Sequence, residues 1–442
     1  FIAAAAGTEA PIRIGMGHGG VFSRDGKQVA YTHKGEILRW TDAGAPQRLA
    51  TVRGSVVDLQ WSPDGKALLF TEERGDHSFI GLLDIEGRAL RYLGPTLGHS
   101  SDPIFSPDGK QVAFIQMREP PAELSQSQAS FWSLRVADVA SGATHIVWTA
   151  PAGEGGQYHG TRGRNLFWSA SGHLLFPWER TGWLHIYALS VDKGGEPRDL
   201  TPDANEVENY TPAPDGKTIV YSANAGNLDT RQLWRAPVSG GKSVRLTQDS
   251  VFAFKPVFAG SELSATVADA QGMKPLGAAP VVPAYVKPEV VIYKAADGVE
   301  VHGQLFKGKG SGKHPALIFV HGGPRRQILP GFHNSHYYSN AYIRNQEFAA
   351  KGYTVLSVNY RSGTNYGRAF REAPEQARDG ASEYRDVLAG GQWLAQQADV
   401  DPTKIGIWGG SWGGYLTALA LARNSDLFAA GADFHGVHSM VR

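Results

Sequence analysis

The chemistry in this sequence concentrates at Gly409-Gly410-Ser411-Trp412-Gly413-Gly414, between the apolar run Lys404–Ile407 and a helical-looking Leu416–Arg423. A serine at the centre of G-x-S-x-G, placed between a strand and a helix, sits on a strained turn that lifts its hydroxyl above the sheet. The flanking glycines supply the torsions and the room. The chemistry of such an elbow is nucleophilic attack on a carbonyl carbon. A glycine-rich turn with an incidental serine is the alternative, and the strand–turn–helix setting argues against it.

A second stretch offers what a serine nucleophile needs next. His321-Gly322-Gly323-Pro324 follows the apolar strand Pro315–Val320. A Gly-Gly loop at the carboxyl end of a strand can expose backbone N–H groups to a substrate, and the Trp412 N–H, next after the serine, completes a pair of oxyanion donors. The acid and base are harder to find. Downstream of Ser411 the hydrolase order is an acid and then a histidine, and only 31 residues remain. Asp433 with His435 or His438 is expected to line the mouth or cap a strand end, so the triad Asp and His are expected outside these 442 residues. A missing C-terminal segment or second fragment would then complete the sheet and cover its apolar surfaces. His333 and His336 have no third ligand at metal spacing, so no metal site is expected.

These residues require a particular scaffold. Beyond residue 285, Val290–Tyr293 and Val299–Leu305 read as antiparallel strands. Ala316–Val320, Thr354–Val358 and Ile405–Trp408 follow, separated by helical stretches. Strand and helix alternate, which implies a parallel sheet covered on both faces. Ser382–Gln396 places Val387, Leu388, Gly391 and Leu394 on one face, as a crossover helix does.

The first two thirds repeat instead. Phe22-Ser-Arg-Asp-Gly26, Trp61-Ser-Pro-Asp-Gly65, Phe105-Ser-Pro-Asp-Gly109, Trp168-Ser-Ala-Ser-Gly172 and Pro212-Ala-Pro-Asp-Gly216 share one turn chemistry, with an eroded sixth copy at Phe258-Ala-Gly-Ser261. Leu49, Leu93, Leu200 and Leu246 each stand twelve positions before the next turn. Spacings of 39, 44, 63, 44 and 46 residues suit four short strands per unit, hence the blades of a β-propeller. The long interval holds the polar Arg118–Ser130, read as an exposed loop. Six units are visible and seven or eight blades are expected, a seventh being completed by the piece around Pro11–Gly15. The aromatic residues heading the turns read as packing between blades. Glu179-Arg180-Thr-Gly-Trp183 and Glu72-Glu73 read as solvated blade-edge charges. The expected division is an N-terminal segment 1–15, a propeller 16–284, and an α/β-hydrolase domain 285–442 that is incomplete at its C-terminus.

The turn phrase resembles the repeats of TolB-like propellers. The order propeller then hydrolase, His321-Gly-Gly-Pro324, the run Val358-Asn-Tyr-Arg-Ser-Gly-Thr-Asn-Tyr-Gly367 and the elbow itself resemble the prolyl oligopeptidase family. The likeness is greater to its acylaminoacyl peptidase and dipeptidyl peptidase IV branches. The resemblance implies that Ser411 is the nucleophile, that Gly323 and Trp412 lend the oxyanion N–H groups, and that Tyr415 packs beneath the elbow. His321 stands where some branches carry a tyrosine that binds the oxyanion. His321 and Trp412 are candidates for substrate contact. The implied activity is a serine peptidase acting on short peptides, with the propeller limiting substrate size and no cofactor. An esterase or amidase on small acyl substrates, or a propeller scaffold whose hydrolase has lapsed, are the alternatives.

Bulk properties exclude other classes. Lysine plus arginine (43) balances aspartate plus glutamate (42), so nothing points to nucleic acid or an anionic membrane. No apolar stretch reaches membrane-spanning length. With no cysteine, disulfides, thiolate metal sites and cysteine nucleophiles are ruled out. The alanine-rich Phe1–Ala10 reads as the small-residue end of a signal peptide, which suggests the periplasm or secretion. It reads equally as a clipped or disordered terminus, with the cytoplasm as the alternative. A homo-oligomer is compatible with all of this.

Overall fold

The architecture comes from a computed structural model that describes residues 1–3, 10–42, 44–117, 132–153, 155–249, 251–268, 273–275, 285–333, 335–376 and 380–439. Arg118–Ser130, residues 4–9 and residues 276–284 lie outside them.

Each repeat becomes one antiparallel sheet, its strands in chain order. The blades span residues 18–51, 55–93, 99–149, 167–199, 207–245 and 252–275, the last with three strands and the others with four. The repeated phrase is the turn between the first and second strands. In the first three blades the serine hydroxyl bonds the aspartate two residues on (Ser23–Asp25, Ser62–Asp64, Ser106–Asp108, 2.6–2.7 Å). The same carboxylate accepts the N–H of the next lysine at 3.1 Å. The serine hydroxyl first, then that N–H, hold all three carboxyls below their ordinary range. Gly26, Gly65 and Gly109 close the turns at φ of 71–73°, the left-handed region that glycine enters without penalty.

Period-two alternation builds the spaces between blades. Leu68 and Phe70 face the first blade, with Ala30, Ile37 and Leu49, while Leu69 faces the third, with Phe105, Val112 and Phe114. Leu49, Leu93 and Leu200 are buried in these spaces, whereas Leu246 is exposed. Of the turn-heading aromatic residues Phe105 is buried, Trp61 and Trp168 pack against the inter-blade cores, and Phe22 is solvent-facing at 57% exposure. Six sheets, not seven or eight, are present among the described residues. The piece expected to complete a seventh contributes only Ile12, bridged to Ile2.

The last third forms one six-stranded sheet: β1 (Glu289–Lys294), β2 (Glu300–Phe306), β3 (His314–Val320), β4 (Thr354–Asn359), β5 (Val400–Gly410) and β6 (Ala430–Phe434), in the order β1-β2-β4-β3-β5-β6. β1 and β2 pair antiparallel, and β4, β3, β5 and β6 run parallel to one another. The last strand begins at Ala430, two residues after Phe428, which turns inward and is buried in the core. Helices α1 (His336–Ala350), α2 (Arg368–Arg371), α3 (Ala381–Ala395) and α4 (Trp412–Arg423) complete the domain. Val387, Gly391 and Leu394 of α3 are buried against the sheet, as the periodicity implied. None of the described helices is long and apolar enough to cross a membrane.

The two parts share a core. Phe252 and Phe254 of the sixth blade cluster with Phe306, Phe332, Tyr342 and Val355 of the hydrolase. Loops of the fourth and fifth blades reach the hydrolase through polar contacts described below.

Candidate active site

The register of the parallel strands assembles the site. Val320 pairs with Gly409, and Gly410 with Phe434, so the carboxyl ends of β3, β5 and β6 lie side by side. Crevices outside those ends are where open α/β sheets bind ligands. Ser411 follows β5 directly at φ 56° and ψ −117°, a conformation costly for any residue with a Cβ. Its N–H donates to the Phe434 carbonyl at 2.9 Å, which ties the turn to β6. A Cβ on Gly409 or Gly413 would overlap the Val320 carbonyl oxygen, so both glycines of the motif are needed for α4 to start against β3. Gly413→Ala is therefore expected to lose about 1–3 kcal/mol from over-packing. A lower urea midpoint at unchanged slope checks this, and an unchanged midpoint contradicts it.

The loop after β3 is held from behind. Tyr360 donates its hydroxyl to the His321 carbonyl at 2.6 Å, and Tyr338 donates to the Gly322 carbonyl at 2.8 Å. Arg326 adds an Nε bond to the same Gly322 oxygen at 3.1 Å, its guanidinium 4.7 Å over the Tyr338 ring. In a trans peptide the N–H points opposite to the C=O. With the Gly322 oxygen fastened to Tyr338 and Arg326, the Gly323 N–H is directed away from both. Gly323 takes φ 55°, and Gly322 packs against the Ser411 Cβ. The Trp412 N–H opens α4, where the first N–H groups have no intrahelical acceptor. The Gly323 and Trp412 N–H groups are thus the two candidate donors beside the serine.

The side chains of the two substrate-contact candidates turn elsewhere. His321 is fully buried and stacks on Tyr360 with ring centroids 4.3 Å apart; burial pushes its pKa down to about 3, so the ring is neutral. Trp412 is 7% exposed and packs on Tyr415 at 5.0 Å, within the sheet core. Both therefore contribute to the site through backbone and packing. Tyr415 lies beneath the elbow.

The His438 Nε2 and Asp433 Oδ2 atoms are in contact at 2.7 Å, and Asp433 also accepts the Gly436 N–H at 2.9 Å. Asp433 thus caps the end of β6. Tyr337 stands edge-on to His435, 6.3 Å away. Among the described residues no imidazole is hydrogen-bonded to the Ser411 hydroxyl, and no cluster of three metal-ligating side chains occurs. All five residues of β6 are exposed, and an apolar groove of about 590 Å³ beside it is lined by Leu317, Phe348, Trp408, Ala432 and Phe434.

Above the site the propeller grips the hydrolase with buried charge. Glu179, expected as a solvated edge charge, is 2% exposed and makes two bonds of 2.6 Å to Arg371. It is buried because the hairpin carrying it is covered by α2: the Arg368 N–H donates to the Gly182 carbonyl at 2.8 Å. Glu208 bonds Arg231 at 2.8 Å, and Arg231 in turn reaches Gln327 of the hydrolase. Asp229 accepts from the Tyr366 hydroxyl and pairs with His302, both at 2.7 Å. Between the Glu179 hairpin and residues 366–376 lies a cleft of about 610 Å³ lined by Thr181, Trp183, Tyr366, Arg368 and Glu372. Glu72, far from this interface, is also no edge charge. It is fully buried, where burial alone would raise its pKa, yet bonds from Arg74, Tyr92 and the Gly54 N–H hold it low. Glu73 is exposed. Sequence reading passed over Arg371, Glu206, Asp229 and Arg326; their only signal was charge, which does not reveal a partner.

A serine on a strand–turn–helix elbow, a glycine loop beside it and six blade-like sheets together define a β-propeller joined to a fold of the α/β-hydrolase class. Residues 339–442 match the Prolyl oligopeptidase family, and residues 133–268 match the Dipeptidyl peptidase IV (DPP IV) N-terminal region, so the family resemblance holds in both parts of the chain. Dipeptidyl peptidase 8 of Mus musculus is 33% identical over 180 residues, 39% of this chain and 18% of that protein. Dipeptidyl aminopeptidase BIII of Pseudoxanthomonas mexicana is 35% identical over 129 residues, 29% of this chain and 17% of that protein. The alignments thus span under a fifth of these relatives' lengths. Among solved structures, a Mycobacterium tuberculosis puromycin-hydrolyzing peptidase superposes with a TM-score of 0.75 at 20% identity, over 96% of this chain and 69% of that one. That likeness establishes the propeller-plus-hydrolase fold.

Proposed function

We propose that the protein is a serine peptidase that hydrolyses short peptides by acyl transfer. The Ser411 oxygen attacks the scissile carbonyl carbon while a histidine base takes its proton. The developing oxyanion is met by the Gly323 and Trp412 N–H groups. The C–N bond then breaks, the leaving amine takes the proton from the histidine, and water releases the acyl group by the same steps. The observation that carries this reading is the Ser411 turn itself, at φ 56° and ψ −117° beside the fastened Gly322–Gly323 peptide. Strain of this kind is retained where function requires it.

The histidine and its orienting acid come, in this reading, from outside the described residues, because Asp433 and His438 are engaged in capping β6. We propose that the segment supplying them packs on the exposed face of β6 and its apolar groove. In this reading the propeller limits which substrates reach Ser411, and the cleft of about 610 Å³ that both domains line beside Trp183 is of a size that suits short peptides rather than folded proteins. The peptidase names of the relatives support amide rather than ester substrates.

The test uses the full-length protein. A fluorophosphonate probe is expected to label Ser411, and aminoacyl and peptidyl anilides to be cleaved faster than simple alkyl esters. Ester turnover without amide cleavage would reject the peptidase in favour of an esterase, and no labelling at all would favour a scaffold. Peptides with free and with acetylated amino termini, read by mass spectrometry, distinguish dipeptide release from removal of acylated residues.

A further inference from the structure

The loop that follows β4, residues 360–367, lies between the propeller and the glycine loop and touches both. It holds two non-glycine residues in the left-handed region, Ser362 at φ 74° and Asn365 at φ 75°, and such residues persist only where their surroundings fix them. At its near end Asp386 of α3 accepts the Arg361 N–H at 2.7 Å, and the guanidinium of Arg361 grips the same carboxylate. At its far end the partner belongs to the other domain. Glu206, between the fourth and fifth blades, accepts the Asn365 N–H at 2.8 Å through one carboxylate oxygen and the Gly367 N–H at 3.1 Å through the other. Asn224 of the fifth blade accepts the Glu206 N–H at 2.7 Å and donates to the Asn365 carbonyl at 2.7 Å. Both peptide groups around Asn365 are therefore bound by the propeller.

From there the contacts lead to the glycine loop in two steps. The N–H of Thr364, beside Asn365, donates to the Arg326 carbonyl at 3.1 Å, and Arg326 donates its Nε to the Gly322 carbonyl. That oxygen belongs to the peptide whose N–H is the proposed oxyanion donor. A planar peptide turns as a unit: whatever moves the Gly322 oxygen swings the Gly323 N–H.

We propose that Glu206 is a positioning residue for catalysis: its carboxylate holds Asn365 and Gly367, and through Thr364 and Arg326 it sets the direction of the Gly323 N–H. The propeller is then a working part of the oxyanion site as well as a roof over it. Glu206 itself touches no substrate. The proposal rests on the oxyanion role given to Gly323 above, and its test separates the two.

The experiment compares full-length wild type with Glu206→Ala and Glu206→Gln, the second keeping the side-chain shape and one acceptor oxygen. Amide hydrogen exchange is measured first, since it needs no activity. In Glu206→Ala, exchange at residues 322–326 is expected to speed up about tenfold along with residues 364–367, while blades one to three stay unchanged. Faster exchange confined to residues 364–367, or spread evenly over the molecule, overturns the proposal. Kinetics come second. A turnover number lowered about 10- to 100-fold, with KM within about twofold and partial recovery in Glu206→Gln, supports it. A rise in KM with unchanged kcat overturns it, because that pattern belongs to a group that binds substrate. If exchange spreads to residues 322–326 but the wild type cleaves no substrate, the positioning chain stands and the peptidase reading fails.

Discussion

Ser411→Ala is expected to lower turnover of a peptidyl anilide by roughly 10⁶-fold, the loss seen when a serine nucleophile is removed, equivalent to about 8 kcal/mol of transition-state stabilisation. The fold is expected to stay intact, since the hydroxyl accepts and donates nothing among the described residues that holds the turn. The backbone does hold it, through the Ser411 N–H to the Phe434 carbonyl. A companion variant separates strain from chemistry. Ser411→Gly removes the Cβ that makes φ 56°, ψ −117° unfavourable and is expected to raise stability by about 1 kcal/mol while being equally inactive. Urea midpoints of the two variants and wild type measure this. A glycine variant less stable than the alanine variant would show that the turn is unstrained. Substantial residual turnover in Ser411→Ala would move the nucleophile elsewhere.

Arg371→Ala is expected to give the largest loss of stability from a single polar residue. Its guanidinium is the one that Glu179 meets with two bonds, and it also stands 3.9 Å from Glu206; all three side chains are 3% exposed. Removing one partner of a buried ion pair leaves an uncompensated charge, which costs about 3–5 kcal/mol. Here two carboxylates, both from the propeller, are left without their cation at the domain interface. The pH dependence has a definite sign. Burial first pushes Glu206 from 4.5 up to about 7, with Arg371 opposing and Glu179 adding to the rise, and with Arg231 lowering it from the fifth blade. Because the folded value lies above the unfolded one, the native state keeps its proton on Glu206 where the unfolded chain has released it. The contribution to stability is fully present below pH 4.5 and is lost as pH rises through about 7. Without Arg371, which opposes that rise, the Glu206 carboxyl rises further, so the deficit of the variant is expected to widen as pH rises through about 7. Thermal midpoints across that range test it, and a deficit that narrows with rising pH would contradict the assignment. Arg371→Met, which keeps much of the volume, is expected to share the defect, because the carboxylates remain unpaired.

Local stretches of sequence carried what needs only neighbours in the chain. The Ser-x-Asp-Gly turns close through bonds two to five residues long, so the six repeat units are legible in the amino-acid order, while the further blades expected from ring closure are not present among the described residues. The elbow is likewise local. Ser411 at its strained torsions follows from a strand, two glycines and a helix in succession, and the Gly322–Gly323 loop from the end of one strand.

What the chain order could not reveal was pairing at long range. Glu179 and Arg371 are 192 residues apart, and Glu206 and Asn365 are 159 apart. A glutamate in a hairpin reads as solvated until another domain covers it. The side chain of His321 shows the same limit: its position in the motif placed it at the site, but only packing against Tyr360 decided that the ring faces inward and the backbone faces out. Turns depend on torsions that a few residues determine among themselves. Burial depends on what the rest of the molecule brings alongside, and that is why the serine was legible in the sequence while the groups that orient its surroundings were decided by the tertiary structure.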